Sequence, residues 1–276
     1  MEIERLLDED TRFGDMTTRA LGIGDAPARM TFTARRQLVL CGSDEAARLL
    51  SALGASVSAV ERFGTHCDKG TPLLEATRPA AVLHAGWKAA QILVEWASGI
   101  ATLTDEIVTA VRAVAPKVAV LCTRKSIPFT RQLSLKAVIA GGGGIHWLGL
   151  SDTVMLFPEH RALMGSMTEL RDSISRLRER LPERAIMAEV TSEADAVKAA
   201  EAEADVIQLE KFSVDAVRRV AQQIEKRSDG RPIIAAAGGI NVQNATEYAL
   251  SGADTLITSA PFYAVPLDVQ VCIEPL

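Results

Sequence analysis

The sequence predicts an α/β protein in two parts: a small sheet packed on helices, then an α/β barrel of parallel strands. Six near-continuous apolar runs carry the second part: KVAVLCT, TVMLF, AIMAEV, ADVIQLE, PIIAAAGG and DTLITSA. Strands apolar on both faces belong to a parallel sheet covered by helices. Helical stretches such as SMTELRDSISRLRERL, SEADAVKAAEAE, VDAVRRVAQQIEKR and NVQNATEYALSG separate them. Polar residues gather at or just after the strand C-termini: Thr123, Arg124, Lys125, Glu189, Glu210, Gly238, Gly239 and Ser259. A barrel collects its active site there, which favours a barrel over a doubly wound sheet.

The elements before the barrel follow in order. MEIERLLDED has the spacing of a short amphipathic helix, and ARMTFTARR alternates apolar and polar residues as a half-buried strand does. Ser43 stands where an N-cap would open SDEAARLLSALG, and Gly54 closes that helix. ASVSAVERF and TPLLEATR read as two more strands. The run from Ala80 to Ala115 is helical, with an interruption expected near Ser98 and Gly99 that would split it into two helices.

The chain has 276 residues and a net charge of −5, which argues against general nucleic-acid binding because a basic surface supplies that affinity, and leaves local positive sites open. Its start, MEIERLLDEDTRFGD, is charged where a signal peptide is apolar, and no apolar run approaches the ~20 residues that span a bilayer. A cytoplasmic protein with no membrane partner is expected. Cys41, Cys67, Cys122 and Cys272 share no metal-ligand spacing and are expected to be small buried apolar residues. Trp87 and Trp96 are expected in packing, and the charges at 166–181 on a solvated helix face.

Four features bear on chemistry. The glycines of GGGG at 141–144 serve either a tight turn or the close approach of a ligand to backbone amides. Thr123, Arg124 and Lys125 set two cations directly after a strand, which suits a carboxylate or phosphate. Glu189 and Glu210 end successive strands and should share a rim, there to hold ribose hydroxyls or Mg²⁺, or to pair with Arg124 and Lys125. AAAGGIN at 235–241 ends a strand in two glycines before a helix and offers amides to a phosphate at the helix N-terminus.

Taken together, GDMTT at 14–18, SGIATLT at 98–104, TRKSIPFTR at 123–131, GGGGIHWLGLSD at 141–152, the pair Glu189 and Glu210, and AGGI at 237–240 resemble the quinolinate phosphoribosyltransferase family. WKAAQILVEWASGIAT, SIP and TSAPFYAVP are similar to its ModD branch, which is associated with molybdenum transport genes. The resemblance implies an N-terminal α/β sandwich domain, residues 1–104 with the tail 263–276 packing back on it, and an incomplete α/β (TIM-like) barrel, residues 105–262. It implies a homodimer or higher oligomer with shared active sites. It also implies transfer from phosphoribosyl pyrophosphate (PRPP), with Mg²⁺, to a carboxylate acceptor; in the family this is quinolinate, and the products are nicotinate mononucleotide, pyrophosphate and carbon dioxide.

By the same resemblance Thr123, Arg124, Lys125 and His146 would hold the acid substrate, with Lys125 also facing the diphosphate. Glu189 and Glu210 match the acidic positions at ribose and Mg²⁺, and Gly238 and Gly239 match the 5′-phosphate loop near Ser259. Lys125, Glu189 and Glu210 are the expected catalytic group. Lys88 stands where the family has an arginine delivered by the neighbouring subunit. The sequence departs from the family pattern at Glu210 (usually Asp), Lys211 (Asn), Ala237 (Ser), Trp147 (Arg) and Phe157 (Lys), and in SIPFTR for TTPGLR.

Loss of a cation from a buried charge pair costs roughly 2–5 kcal/mol, or about one and a half to three and a half decades of affinity. Lys136, one residue from the family's lysine in its helix, is expected to compensate for one such loss. The expected activity is phosphoribosyl transfer to a pyridine-carboxylate-like acceptor other than plain quinolinate, or with quinolinate used poorly. Two alternatives stand beside it: full nicotinate-nucleotide pyrophosphorylase activity, with Lys88, Arg124, Lys125 and Lys136 sufficing for both carboxylates, and a non-catalytic binder of an oxyanion or molybdenum-related ligand.

Overall fold

The computed structural model describes residues 3–163, 170–225 and 231–276. Parts of two expected helices, 166–169 and 226–227, lie outside them. The elements before the barrel are α1 (Ile3–Thr11), α2 (Met16–Leu21), β1 (Pro27–Ala34), β2 (Leu38–Val39), α3 (Ser43–Ala52), β3 (Ser56–Val60), β4 (His66–Cys67), β5 (Pro72–Pro79) and α4 (Ala80–Val114). There follow β6 (Ala119–Cys122), α5 (Arg131–Ala140), β7 (Gly144–Ile145), β8 (Val154–Leu156), α6 (Pro158–Ala162), α7 (Leu170–Arg180), β9 (Ile186–Val190) and α8 (Glu193–Glu201). The chain ends in β10 (Val206–Glu210), α9 (Val214–Glu225), β11 (Ile233–Ala237), α10 (Ala245–Ala249), β12 (Thr255–Thr258) and β13 (Val269–Pro275).

By packing, the chain forms two compact units. One holds the residues up to Asp105 with Ser126–Gly142 and Pro261–Leu276; the other holds Glu106–Lys125 and Gly143–Ala260. Helix α5 thus goes with the first unit, whereas a boundary near 104 puts it in the barrel. Its Lys136 donates to Asp44 and Glu45, and Gly141 at its end packs onto α4.

In the first unit a four-stranded sheet runs β13-β1-β5-β3, with β1 antiparallel to both β13 and β5. Along β1 the inward positions Ala28, Met30, Phe32 and Ala34 are buried, as the period-two pattern predicts. Each large side chain so buried contributes about 1.5–3 kcal/mol.

Two local expectations fail. Ser43 is the first residue of α3 and not its cap: Gly42 caps the helix, and the Ser43 hydroxyl donates to Glu61 O at 3.0 Å. Nor does α4 break at Ser98 and Gly99; it is one 35-residue helix. The Ser98 hydroxyl accepts from Cys41 N–H at 3.1 Å and donates to Cys41 O at 3.2 Å. A Cβ on Gly99 would lie 2.5 Å from Val265 O, so glycine here permits close packing and breaks nothing. Leu83, Ala90, Val94, Ala97, Ala101 and Ile107 keep the buried stripe continuous through that point.

In the second unit seven parallel strands run β7-β6-β12-β11-β10-β9-β8. Among the described residues no pairing joins β7 to β8, so the barrel is incomplete. Met155, Met187, Val206, Ala235, Ala237 and Ile257 form its interior together with Trp147, and Phe157 packs against them. On α7, exposed Arg171 and Arg178 donate to Glu201 O and Glu203 O, as a solvated face allows. Cys41, Cys67 and Cys122 are buried as expected, and burial pushes the thiols of Cys41 and Cys122 up to about 12. Cys272 is exposed, against expectation, because it alternates outward on edge strand β13.

Candidate active site

The strand C-termini of the second unit surround a cavity of about 720 Å³, within the range of small-molecule sites. Of the sequence-predicted residues it brings together Thr123, Arg124, Lys125, His146, Glu189, Glu210, Gly238, Gly239 and Ser259. Parallel pairing explains this, since strands in register deliver the residues that follow them to one rim.

Thr123 and Lys125 are tied locally: the Lys125 N–H donates to Thr123 Oγ1 at 3.2 Å. One strand over, β7 pairs with β6 and the His146 N–H donates to Cys122 O at 3.0 Å. Burial, the larger influence, holds the His146 imidazole below its usual range, and the neighbouring Gln208 amide opposes it. Trp147 is 6% exposed, and the Arg124 guanidinium lies 4.4 Å from its ring centre. Its ring centre is 6.2 Å from that of Phe157. Trp147 follows one edge strand and Phe157 the other, so the two rings meet across the open seam of the barrel.

Glu189 and Glu210 share the cavity, separated by Gln208. Gln208 is 5% exposed, stands in register with Glu189, and donates through Nε2 to Glu189 Oε2 at 2.6 Å. Burial raises the Glu189 carboxyl above the usual carboxylate range; repulsion from Glu210 and Glu159 adds to this, against Lys125 and the Gln208 hydrogen bond.

The phosphate-loop candidate is a backbone structure. Gly238 and Gly239 have φ of 90° and 77°, the left-handed region that favours glycine. A Cβ at Gly238 would meet Lys211 Cγ at 2.7 Å and Lys211 N at 2.9 Å. Gly239 O accepts from Asn241 Nδ2 at 3.3 Å and Asn244 Nδ2 at 3.1 Å, and Ile240 O accepts from Thr258 Oγ1 at 2.6 Å. The expected helix N-terminus is not at the glycines: α10 begins only at Ala245 and has five residues. This segment therefore offers loop amides and not a helix end, because the stretch from Ile240 to Asn244 closes on its own turns.

Three other sequence-predicted features do not line this cavity. Lys136 is not among the residues lining the cavity; its ammonium binds Asp44 at 2.8 Å and Glu45 at 2.9 Å in the first unit. Lys88 is exposed on α4, donating to Gln91 Oε1 at 2.8 Å with its ammonium 3.9 Å from the Trp87 ring centre. The four glycines at 141–144 do not line the cavity either. A Cβ at Gly141 would lie 2.2 Å from Ala101 O, and one at Gly144 2.5 Å from Leu121 Cδ2. They serve a turn and tight packing, which deliver His146 and Trp147.

Sequence reasoning missed Gln208, Glu159 and Asn241, all in the cavity wall, and noted Lys211, also there, only as a departure from the family pattern. Gln208 was findable: a polar residue inside an apolar strand, two before Glu210 and so on its face. Glu159 and Asn241 sit outside the strands and carry no periodic signal.

Among known proteins, residues 15–98 match the quinolinate phosphoribosyl transferase N-terminal domain and residues 100–271 its C-terminal domain. A putative pyrophosphorylase ModD of Rhodobacter capsulatus is 46% identical, covering 87% of this chain and 92% of its own. A probable carboxylating nicotinate-nucleotide pyrophosphorylase of Methanocaldococcus jannaschii is 29% identical, covering 95% and 92%. The crystal structure of NadC from Streptococcus pyogenes superposes with a TM-score of 0.89 at 26% identity, over 99% of this chain and 95% of that one. The chain belongs to the quinolinate phosphoribosyl transferase family and is an enzyme of the pentosyltransferase class.

Proposed function

We propose that the enzyme transfers a phosphoribosyl group from PRPP to a pyridine-carboxylate-like acceptor, with a nicotinate mononucleotide-type product. One observation carries the reading: Lys125, Glu189, Glu210 and the Gly238 and Gly239 loop converge on one cavity, offering a cation, two carboxylates and backbone amides to a phosphorylated sugar. The amides after Gly238 would hold the 5′-phosphate, since loop N–H groups bind anions without competing side chains. Lys125 would neutralise the departing pyrophosphate, and Glu189 with Glu210 would steady positive charge as it grows on the ribose. Arg124 and His146 would aim the ring nitrogen at the anomeric carbon, so catalysis is by position and charge with no covalent nucleophile.

Glu189 and Glu210 suit a Mg²⁺ that arrives on the diphosphate with waters retained, where it would supply further charge neutralisation. No group of three or more His, Cys, Asp or Glu among the described residues suits a resident ion. The same carboxylates disfavour a plain oxyanion binder, because they repel the ligand. Lys88 is proposed to reach a neighbouring subunit's cavity in a homodimer. Among the described residues no helix is long and apolar enough to cross a membrane, consistent with the proposed cytoplasmic setting. A link to molybdenum transport rests on likeness to the ModD branch alone.

Calorimetric titration with PRPP and Mg²⁺ tests the reading. Saturable binding that is lost in Lys125→Ala is expected; absence of binding to the wild type would overturn it.

A further inference from the structure

The charges in the cavity wall are balanced. Arg124, Lys125 and Lys211 face Glu159, Glu189 and Glu210. PRPP brings a phosphate monoester and a diphosphate, and a monoester alone carries roughly 1.5–2 negative charges at pH 7. The donor therefore engages the cations at the Gly238 loop, beside Lys211, and at Lys125. That leaves Arg124 for the acceptor, and its guanidinium already lies over the Trp147 ring, 4.4 Å from its centre.

The rest of the acceptor wall is uncharged or acidic. Trp147, Phe157 and Met155 are apolar, and the two rings are inclined at 40° with centres 6.2 Å apart. His146 and Gln208 present neutral edges, and two buried atoms, His146 Nε2 and Gln208 Oε1, have no hydrogen-bond partner. Glu159 is exposed and near enough to Glu189 to repel it. Such a wall favours a flat, polarisable ring with hydrogen-bonding substituents. It penalises adjacent carboxylates, since a buried charge needs a matched partner.

Resting on the phosphoribosyl reading, we propose that the acceptor is a flat heteroaromatic base with a pyridine-type nitrogen and at most one carboxylate, so that transfer releases no carbon dioxide. The ring nitrogen's lone pair forms the bond to the anomeric carbon. The bond from that carbon to oxygen breaks, and its electron pair leaves on pyrophosphate. The ring nitrogen carries no proton, so no base is consumed, and every ring carbon substituent is retained.

The test begins with the protein saturated with Mg²⁺ and PRPP, which is then titrated calorimetrically with nicotinate, nicotinamide and quinolinate. These rings differ in carrying one, no or two carboxylates. Tighter binding of nicotinate or nicotinamide than of quinolinate, by tenfold or more, is expected. Quinolinate binding as well as either, or no binding by any of the three, would overturn the proposal. If PRPP itself does not bind, the phosphoribosyl reading falls and takes this inference with it; if PRPP binds and quinolinate is preferred, this inference falls alone. Glu159→Lys, an exposed substitution outside the barrel core, should narrow the gap at least threefold, and an unchanged ratio would remove its electrostatic basis.

Discussion

At the central strands of the barrel, Gly238 and Gly239 build the rim from backbone held by Asn241, Asn244 and Thr258. At the open seam, Trp147 and Phe157 build it from side chains that meet across two edge strands which, among the described residues, do not pair with each other. A phosphate-binding role suits the first, because amide groups locked in a turn have little freedom left to lose. Discrimination between acceptors suits the second, because side chains change by substitution while the strands stay in register. In the proposed mechanism Lys125 acts with the first region, and Arg124 over the Trp147 ring acts with the second.

The largest expected effect breaks the first region. Lys125→Ala should lower turnover about a thousandfold, as loss of one preorganised charge at a departing group does; unchanged steady-state kinetics would remove Lys125 from the mechanism. Next, Gly238→Ala forces a Cβ against the Lys211 backbone at a φ of 90°. PRPP affinity should fall by about tenfold to a hundredfold, on the order of 1–3 kcal/mol of strain, measured by titration, with the far-ultraviolet circular dichroism unchanged.

In the proposed mechanism Glu189 couples activity to stability. Its folded carboxyl is raised by burial and by Glu210 and Glu159, so ionisation opposes folding. The stabilisation from protonated Glu189 is complete below the ordinary glutamate value, about 4.3, and is lost as pH rises through the higher folded value. Glu189→Gln should therefore raise Tm at pH 7.5 but hardly at pH 4, while transfer falls at least tenfold. A lowered Tm at pH 7.5 would show that the Gln208 hydrogen bond outweighs the repulsion. The smallest effect lies outside both regions: Lys136→Met breaks a partly exposed ion pair worth at most about 1 kcal/mol and should leave PRPP binding unchanged. A loss of binding would place Lys136 in the site after all.

Much of the site was legible because it lies at strand ends. Apolar runs locate the strands, and parallel pairing carries Thr123, Glu189, Glu210 and Gly238 to one rim without further information. Glu159 was not legible, and Lys211 was legible only as a departure from the family pattern, because their approach to the cavity depends on turns: Lys211 has a φ of 58°, and Glu159 follows Pro158. Phe129 is a similar case. It holds a φ of 67° where the family pattern has glycine, and its side chain is almost wholly exposed.

By itself the sequence determined the class of fold, the order of the chemical groups along the chain, and the net negative charge. Those properties follow from the spacing of apolar and charged residues, which is local. Only the tertiary structure decided that Lys136 is held by Asp44 and Glu45, that Gln208 bridges toward Glu189, and that Trp147 meets Phe157. Each of these is a contact between residues distant in sequence, fixed by the register of strands and the packing of helices, and no periodicity along the chain encodes which partners meet.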